Sequence, residues 1–368
     1  MQPPPQRTII ALPKPAARSK TAEPRHDPLL PVSQQRKWPR AGLILLAALH
    51  ALWSSSARAD TAAELRTVQI LDARLAAVMH RLTSSNSDKC PAIMPGTGFV
   101  LHTLEQYAPE LHESARQAFG FETSLAVAVI VPGSPAELAG LKTNDSILAI
   151  NGTPPRDARP DEAGTSGRRD EIERTIAALP AEAPIRLTVQ RNGLDKELTI
   201  VPVPACRTRF EVLHRPMGLA LSDGETIQVS ARFVTLADPL ELAAIAAHEL
   251  AHTALEHNRK LEAQGVDTRL RRGSRRDVRA IRAAEDEADR ASVAMLLAAG
   301  YDPQIAPGFW RGRGRKLGGG ILREPTHAKP AERARLLDFE IARLTVPETR
   351  SPAVAPQTSS EQGQTMRR

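Results

Sequence analysis

The chain has 368 residues, 41% of them apolar but only 3% aromatic, so it has room for two or three domains with aliphatic cores. Its formal charge is +7, and nine Lys/Arg against two acidic residues within positions 1–59 account for all of it. The rest is neutral, which excludes a basic nucleic-acid-binding surface as the source of the high pI; no nucleic-acid partner is expected.

Positions 1–40 are rich in Pro and basic residues and lack a foldable apolar pattern. Arg40, the apolar run 41–53 and Ala57-Arg58-Ala59 before Asp60 are the three parts of a secretory signal peptide. Positions 1–59 are therefore expected to be a basic leader and signal peptide that directs the chain to the periplasm. The alternative is retention as an inner-membrane anchor facing the periplasm. No later stretch offers about 18 continuous apolar residues, so no further span is expected.

Positions 60–117 are expected to be the N-terminal helical part of a domain, and from 61 to about 82 the pattern is helical, led by Leu65, Val68, Ile70, Leu71, Leu75 and Val78. A polar loop follows and ends at Cys90-Pro91, and 98–101 reads as a short strand. From 118 to 204 the chain reads strand (125–131), turn, short helix (135–139), strand (146–150), helix (170–179) and a hairpin closed by Asn192-Gly193. The stretch Val131-Pro132-Gly133-Ser134-Pro135-Ala136, then Ala139-Gly140-Leu141 and Asp145-Ser146-Ile147-Leu148-Ala149-Ile150-Asn151-Gly152, resembles a PDZ domain of the bacterial protease-associated type. Asn144 stands where that family usually has Gly, and Asn also tolerates the left-handed backbone. The resemblance implies peptide binding by strand addition, with Phe119-Gly120-Phe121 as the loop that captures a C-terminal carboxylate. A spacer domain with a closed groove is the competing reading.

From 205 to 345 the pattern is helical apart from one hairpin, 219–221 and 226–229, around Asp223-Gly224. Asp238, Pro239 and Glu241 form a helix start, and the helix is expected to run toward Gln264. On it stands His248-Glu249-Leu250-Ala251-His252. Two histidines four apart share one helix face and can hold Zn²⁺, while Glu249 lies beside the metal as a base. A third ligand is sought in Glu285-Asp286-Glu287-Ala288-Asp289 on a second helix, where physics alone does not choose between Glu285 and Glu287. His257, five residues past the motif, falls off the ligand face of a continuous helix and reads as a surface or supporting residue. Seven arginines between 269 and 282 read as a solvated loop, or as a gate or contact with anionic lipid. The tail 346–368 is polar and expected to be disordered.

HExxH followed by ExxAD resembles the HtpX / CAAX-prenyl-protease family of gluzincin metallopeptidases. That resemblance implies one Zn²⁺ per chain on His248, His252 and Glu285, with Glu249 as general base and Asp289 orienting a ligand. Ala299-Gly300-Tyr301-Asp302-Pro303 and Thr326-His327 extend the match, and His327 would lie near the metal as an oxyanion stabiliser or cap. Ala328 replaces the family's usual Pro. The fold expected is α+β: a mostly helical peptidase domain over 60–117 and 205–345, with the PDZ unit inserted at 118–204. Cys90 and Cys206 bracket the insertion, and export to an oxidising compartment makes a disulfide between them the expectation. The expected activity is zinc-dependent endopeptidase action on exported or misfolded polypeptides, selected in part by exposed C-termini. The alternative is a non-catalytic PDZ peptide-binding protein with a structural zinc. An intramembrane protease also combines HExxH with PDZ, but it needs spans around His248 that this chain lacks.

Overall fold

The computed structural model describes residues 40–214, 218–266, 274–317 and 327–345, with 40–59 and 317 as helical backbone alone. The leader at 1–39, the arginines at 269–272 and the tail 346–368 lie outside the described residues. The fold is α+β. Among the described residues, no helix is long and apolar enough to cross a membrane.

Helix α1 (Arg40–Ser85) is followed by β1 (Ile93–Gly96), β2 (Phe99–Thr103), α2 (His112–Phe119), β3 (Leu125–Ile130), α3 (Pro135–Leu138), β4 (Ser146–Ile150), α4 (Gly167–Ala177), β5 (Ile185–Arg191), β6 (Leu194–Ile200) and β7 (Val203–Cys206). Strands β2 to β6 make one antiparallel sheet in sequence order. Asn192 and Gly193 take φ of 54° and 73°, as the tight β5–β6 turn requires. Asn144 is left-handed at φ 71°. Leu125, Val127, Ile147, Leu187 and Val189 of the sheet pack on Ile172 and Ile176 of α4.

This sheet starts earlier than residue 118, the boundary read from the sequence. Its first strand is β2, paired from Phe99↔Ile130 to Thr103↔Leu125. A helix and a long connection separate β2 from β3, so no turn signal announces the pairing. The whole unit hangs on a two-stranded ribbon, β1 with β7, in which Gly96 faces Val203. A Cβ on Gly96 would stand 2.8 Å from the Val203 carbonyl oxygen, which explains the glycine. Cys90 and Cys206 are bonded at the foot of the ribbon, 116 residues apart in sequence.

Then come β8 (Arg209–Leu213), β9 (Ala220–Ser222), β10 (Thr226–Ser230), α5 (Ala231–Leu236), α6 (Pro239–Ala254), α7 (His257–Ala263), α8 (Arg275–Ala298), α9 (Ile305–Arg311), α10 (Arg313–Leu317) and α11 (Pro330–Thr345). The hairpin expected around Asp223-Gly224 is β9–β10, but it is not alone: β8 lies parallel to β10, giving the order β8-β10-β9. The helix expected to run to Gln264 stops at Ala254. Glu256 has φ 54°, and this left-handed residue breaks the helix and starts α7 in a new direction. Arg275 to Arg282 belong to α8, not to a loop.

The main core gathers Leu75 and Met79 of α1, Leu242 and Leu250 of α6, Val293 and Leu296 of α8, and Ile227 and Val229 of β10. Each such side chain contributes about 1.5–3 kcal/mol by leaving water. Helix α1 serves both parts: its Ala76 packs against Ala128, Val129 and Val131 around β3. The inserted unit is therefore seated on the same helix that braces α6.

Candidate metal centre

Helix α6 begins with a full capping box. Asp238 accepts from the Leu240 and Glu241 amides, and Glu241 accepts from the Asp238 amide. Its alanines, Ala243, Ala246, Ala247 and Ala251, are fully buried and let α8 approach closely. His248 and His252 follow on one face. From α8, Glu285 reaches the same point.

His248 Nε2 and His252 Nε2 are 3.2 Å apart. Glu285 Oε2 lies 3.2 Å from His248 Nε2, and its Oε1 lies 3.5 Å from His252 Nε2. Ligands about 2.0–2.1 Å from a tetrahedral ion stand roughly 3.3 Å from one another, so these separations suit zinc. Glu285 Oε2 is buried and receives no aligned hydrogen bond. Among the described residues, these three side chains are the one His/Cys/Asp/Glu group whose ligand atoms all converge, within 4.8 Å. The donor set fits a borderline cation such as Zn²⁺, with one position left for another ligand.

The electrostatics point the same way. Burial and the Arg333 charge oppose protonation of His248, yet Asp289 and Glu285 outweigh them and lift it to about 9. Despite its burial, Glu285 is held well below the usual carboxylate range by His248, His252 and His327. Two carboxylates thus draw positive charge into the pocket, and protons and a metal ion compete for it.

Asp289 Oδ1 is 3.0 Å from His248 Nδ1, on the far side of the ring from Glu285. A carboxylate there accepts the Nδ1 proton and leaves Nε2 as a ligand atom. Arg333 of α11 donates two hydrogen bonds to Asp289, Nε at 2.7 Å and Nη2 at 2.6 Å, and stacks over Trp310 at 3.8 Å. Sequence reasoning missed Arg333 as a functional residue. A signal existed: it stands four and eight residues before Leu337 and Ile341, on the buried stripe of its helix.

Glu249 is buried beside His248, and its charge acts on Arg333. His327 is half-exposed, with Nε2 at 3.2 Å from Glu285 Oε2. Glu287, the competing ligand, points elsewhere: its Oε2 is 3.3 Å from His257 Nε2. His257 is not a surface residue. The break at Glu256 folds it back to 2% exposure, with Nδ1 at 2.9 Å from His252 Nδ1.

Phe119, Gly120 and Phe121 do not form a carboxylate-binding loop. Phe119 ends α2 and is buried against His102 and Tyr107, and the partly buried Phe121 packs on the same rings. The Gly120 amide already donates to the Arg116 carbonyl at 2.8 Å. The loop also leads into β3, which is paired on both sides. The sheet edge facing α4 is β2. Between them lies a cavity of about 90 Å³, walled by Phe99, Leu101, Ile176, Arg209 and Phe210. Arg209 of β8 pins α4 there through Asp170 and Glu173, and Arg169 of α4 pairs with Glu211. A larger cleft of about 410 Å³ continues past Arg174, Ala177 and Arg207 to Thr253 and Glu256, at the end of the helix that carries His252.

Comparison with known proteins fits the inserted unit. Residues 127–191 match the PDZ domain family model, so a PDZ domain is present. Over 73 residues, 20% of this chain, the sequence is 33% identical to the probable protease eep of Enterococcus faecalis (strain ATCC 700802 / V583). That match spans only 14% of the relative's length. Two solved structures are similar to part of the chain. The HtrA3 PDZ domain bound to a phage-derived ligand (FGRWV) shares 22% identity over 30% of this chain and 88% of its own, with a TM-score of 0.23. The HtrA-type protease AlgW with decapeptide shares 25% identity over 34% of this chain and 31% of its own, also with a TM-score of 0.23.

Proposed function

We propose that the chain is a zinc-dependent endopeptidase of the gluzincin type, resembling the HtpX / CAAX-prenyl-protease family, with a PDZ domain inserted ahead of its catalytic helices. One observation carries this reading: His248 Nε2, His252 Nε2 and the Glu285 carboxylate converge on one point, with Glu249 next in the chain. His248, His252 and Glu285 would hold the ion. Bound there, zinc supplies Lewis acidity toward a scissile carbonyl and toward an attacking water. Glu249 takes the proton from that water and passes it to the leaving amine. Asp289 holds the His248 ring, with Arg333 fixing Asp289 in turn. His327 stands at the rim, where a half-exposed imidazole can donate to a developing oxyanion.

Substrates are read as polypeptides. Edge strand β9, whose partner β10 leads toward α6, offers backbone for strand addition, which accepts many sequences. The PDZ unit supplies selection, with the β2 edge and α4 as its binding walls. The larger cleft runs on from that cavity past α4 to Thr253 and Glu256, at the end of α6. The leader supports export to the periplasm, or anchoring at its inner membrane, as the place of action.

The test compares cleavage of an unfolded protein by residues 60–368 and by Glu249→Gln at matched zinc content. Cleavage by the first alone is expected. Zinc bound at one equivalent with no cleavage by either would favour a peptide-binding protein with a structural zinc. Equal cleavage by both would overturn the assignment of Glu249.

A further inference from the structure

We infer that His257, backed by Glu287, is a positioning residue that fixes the tautomer and tilt of His252. This rests on the metal reading above. The two Nδ1 atoms are 2.9 Å apart, a distance that requires one proton between them. His252 turns its Nε2 toward His248 and Glu285, so as a ligand that nitrogen must be bare. The His252 proton then sits on Nδ1 and is donated to His257 Nδ1. His257, accepting there, carries its own proton on Nε2, where Glu287 Oε2 at 3.3 Å accepts it. The reverse arrangement would put a proton on His252 Nε2, facing His248 Nε2, and leave Glu287 opposite a bare nitrogen. A carboxylate at one end and a cation at the other therefore select a single proton arrangement.

Position and packing agree. His257 is 2% exposed, and its ring meets the His252 ring edge-on at 4.9 Å. It arrives there only because Glu256 takes a left-handed backbone. The acidic run of α8 is thus divided by role. Glu285 faces the ion, Asp289 backs His248, and Glu287 backs His252 through His257.

The experiment is zinc affinity by chelator competition on the exported chain, residues 60–368, as wild type, His257→Leu, His257→Asn and Glu287→Ala. Loss of the acceptor in His257→Leu should weaken zinc by about 10–100-fold. His257→Asn keeps an acceptor oxygen near the Nδ1 position and should recover most of that loss. Glu287 is half-exposed, so its removal spares the fold and should cost about fivefold. Nitrogen-15 NMR of the zinc-loaded wild type should show His257 protonated at Nε2 and His252 at Nδ1. A folded His257→Leu that binds zinc as tightly as wild type overturns the inference and leaves the metal site standing. So does a His257 protonated at Nδ1. If His257→Leu does not fold, Glu287→Ala and the tautomer decide. Wild type that binds no zinc overturns both readings.

Discussion

Replacing Arg333 with Met should be among the most damaging single changes near the site. Arg333 and Asp289 are 5% and 2% exposed, with two bonds below 2.8 Å between them. Burial works against ionisation of Asp289, yet Arg333 and His248 hold it down at about 2. Keeping a carboxyl at about 2 instead of 3.8 is worth about 2.5 kcal/mol at neutral pH. Because the folded value is depressed, that stability is present above about pH 4 and is lost as pH falls through 2. Removing one partner of a buried pair strands the other charge and typically costs about 3–5 kcal/mol. The Trp310 stack adds about 1–2 kcal/mol when desolvated. Urea unfolding at pH 7, followed by far-UV circular dichroism with a chelator present, should therefore show Arg333→Met destabilised by about 3–5 kcal/mol. Asp289→Asn should suffer comparably. The double variant should lose at least about 2 kcal/mol less than the sum of the two. Additivity within about 0.5 kcal/mol would refute the coupling and, with it, the placement of Asp289 by Arg333.

Other expectations follow from the same contacts. Replacing both Cys90 and Cys206 with Ala releases a loop of 116 residues, for which chain entropy sets a ceiling of about 5 kcal/mol; oxidised and reduced protein with equal melting temperatures would contradict it. Burial, against the pull of Arg169, pushes Asp72 up to about 7, with Glu211 and Glu173 adding to the rise. A raised carboxyl stabilises least when ionised, so its penalty grows from about pH 4 to 7 and then levels off. Asp72→Asn should flatten the melting-temperature profile between pH 5 and 8 and raise its alkaline end; a lower melting temperature at pH 8 would count against this. Glu256→Gly should be neutral or slightly stabilising, because glycine enters the left-handed region freely, whereas Glu256→Val should lower the melting temperature.

Much of the geometry of the candidate site was legible because its determinants are local. Asp238, Pro239 and Glu241 start a helix, and a helix brings His248 and His252 together. The spacing of Glu285 and Asp289 works the same way on α8. What escaped the sequence depends on nonlocal contacts or on unmarked backbone. Strand β8 alternates Arg, Phe, Glu and Val without a turn signal, and its parallel partner lies beyond another strand. Of the two readings of His257, surface or supporting, the sequence could not choose the supporting one, because Glu256 breaks the helix with neither Gly nor Pro to announce it. The Phe119–Phe121 assignment failed because nothing local showed that the short strand read at 98–101 pairs with β3 and closes that edge.

The disulfide at the foot of the β1–β7 ribbon also sets how the chain carries tension. A pull applied between the two ends travels along α1 to Cys90, crosses the sulfur bridge to Cys206, and continues toward α6. Residues 91–205 form a side loop outside that covalent load path. If the leader is kept as an anchor and a captured polypeptide drags on α6 and α8, the PDZ unit stays slack while the bridge and α1 take the strain. Reduction would reroute the load through the ribbon and the sheet, and make the PDZ unit the first part to give way.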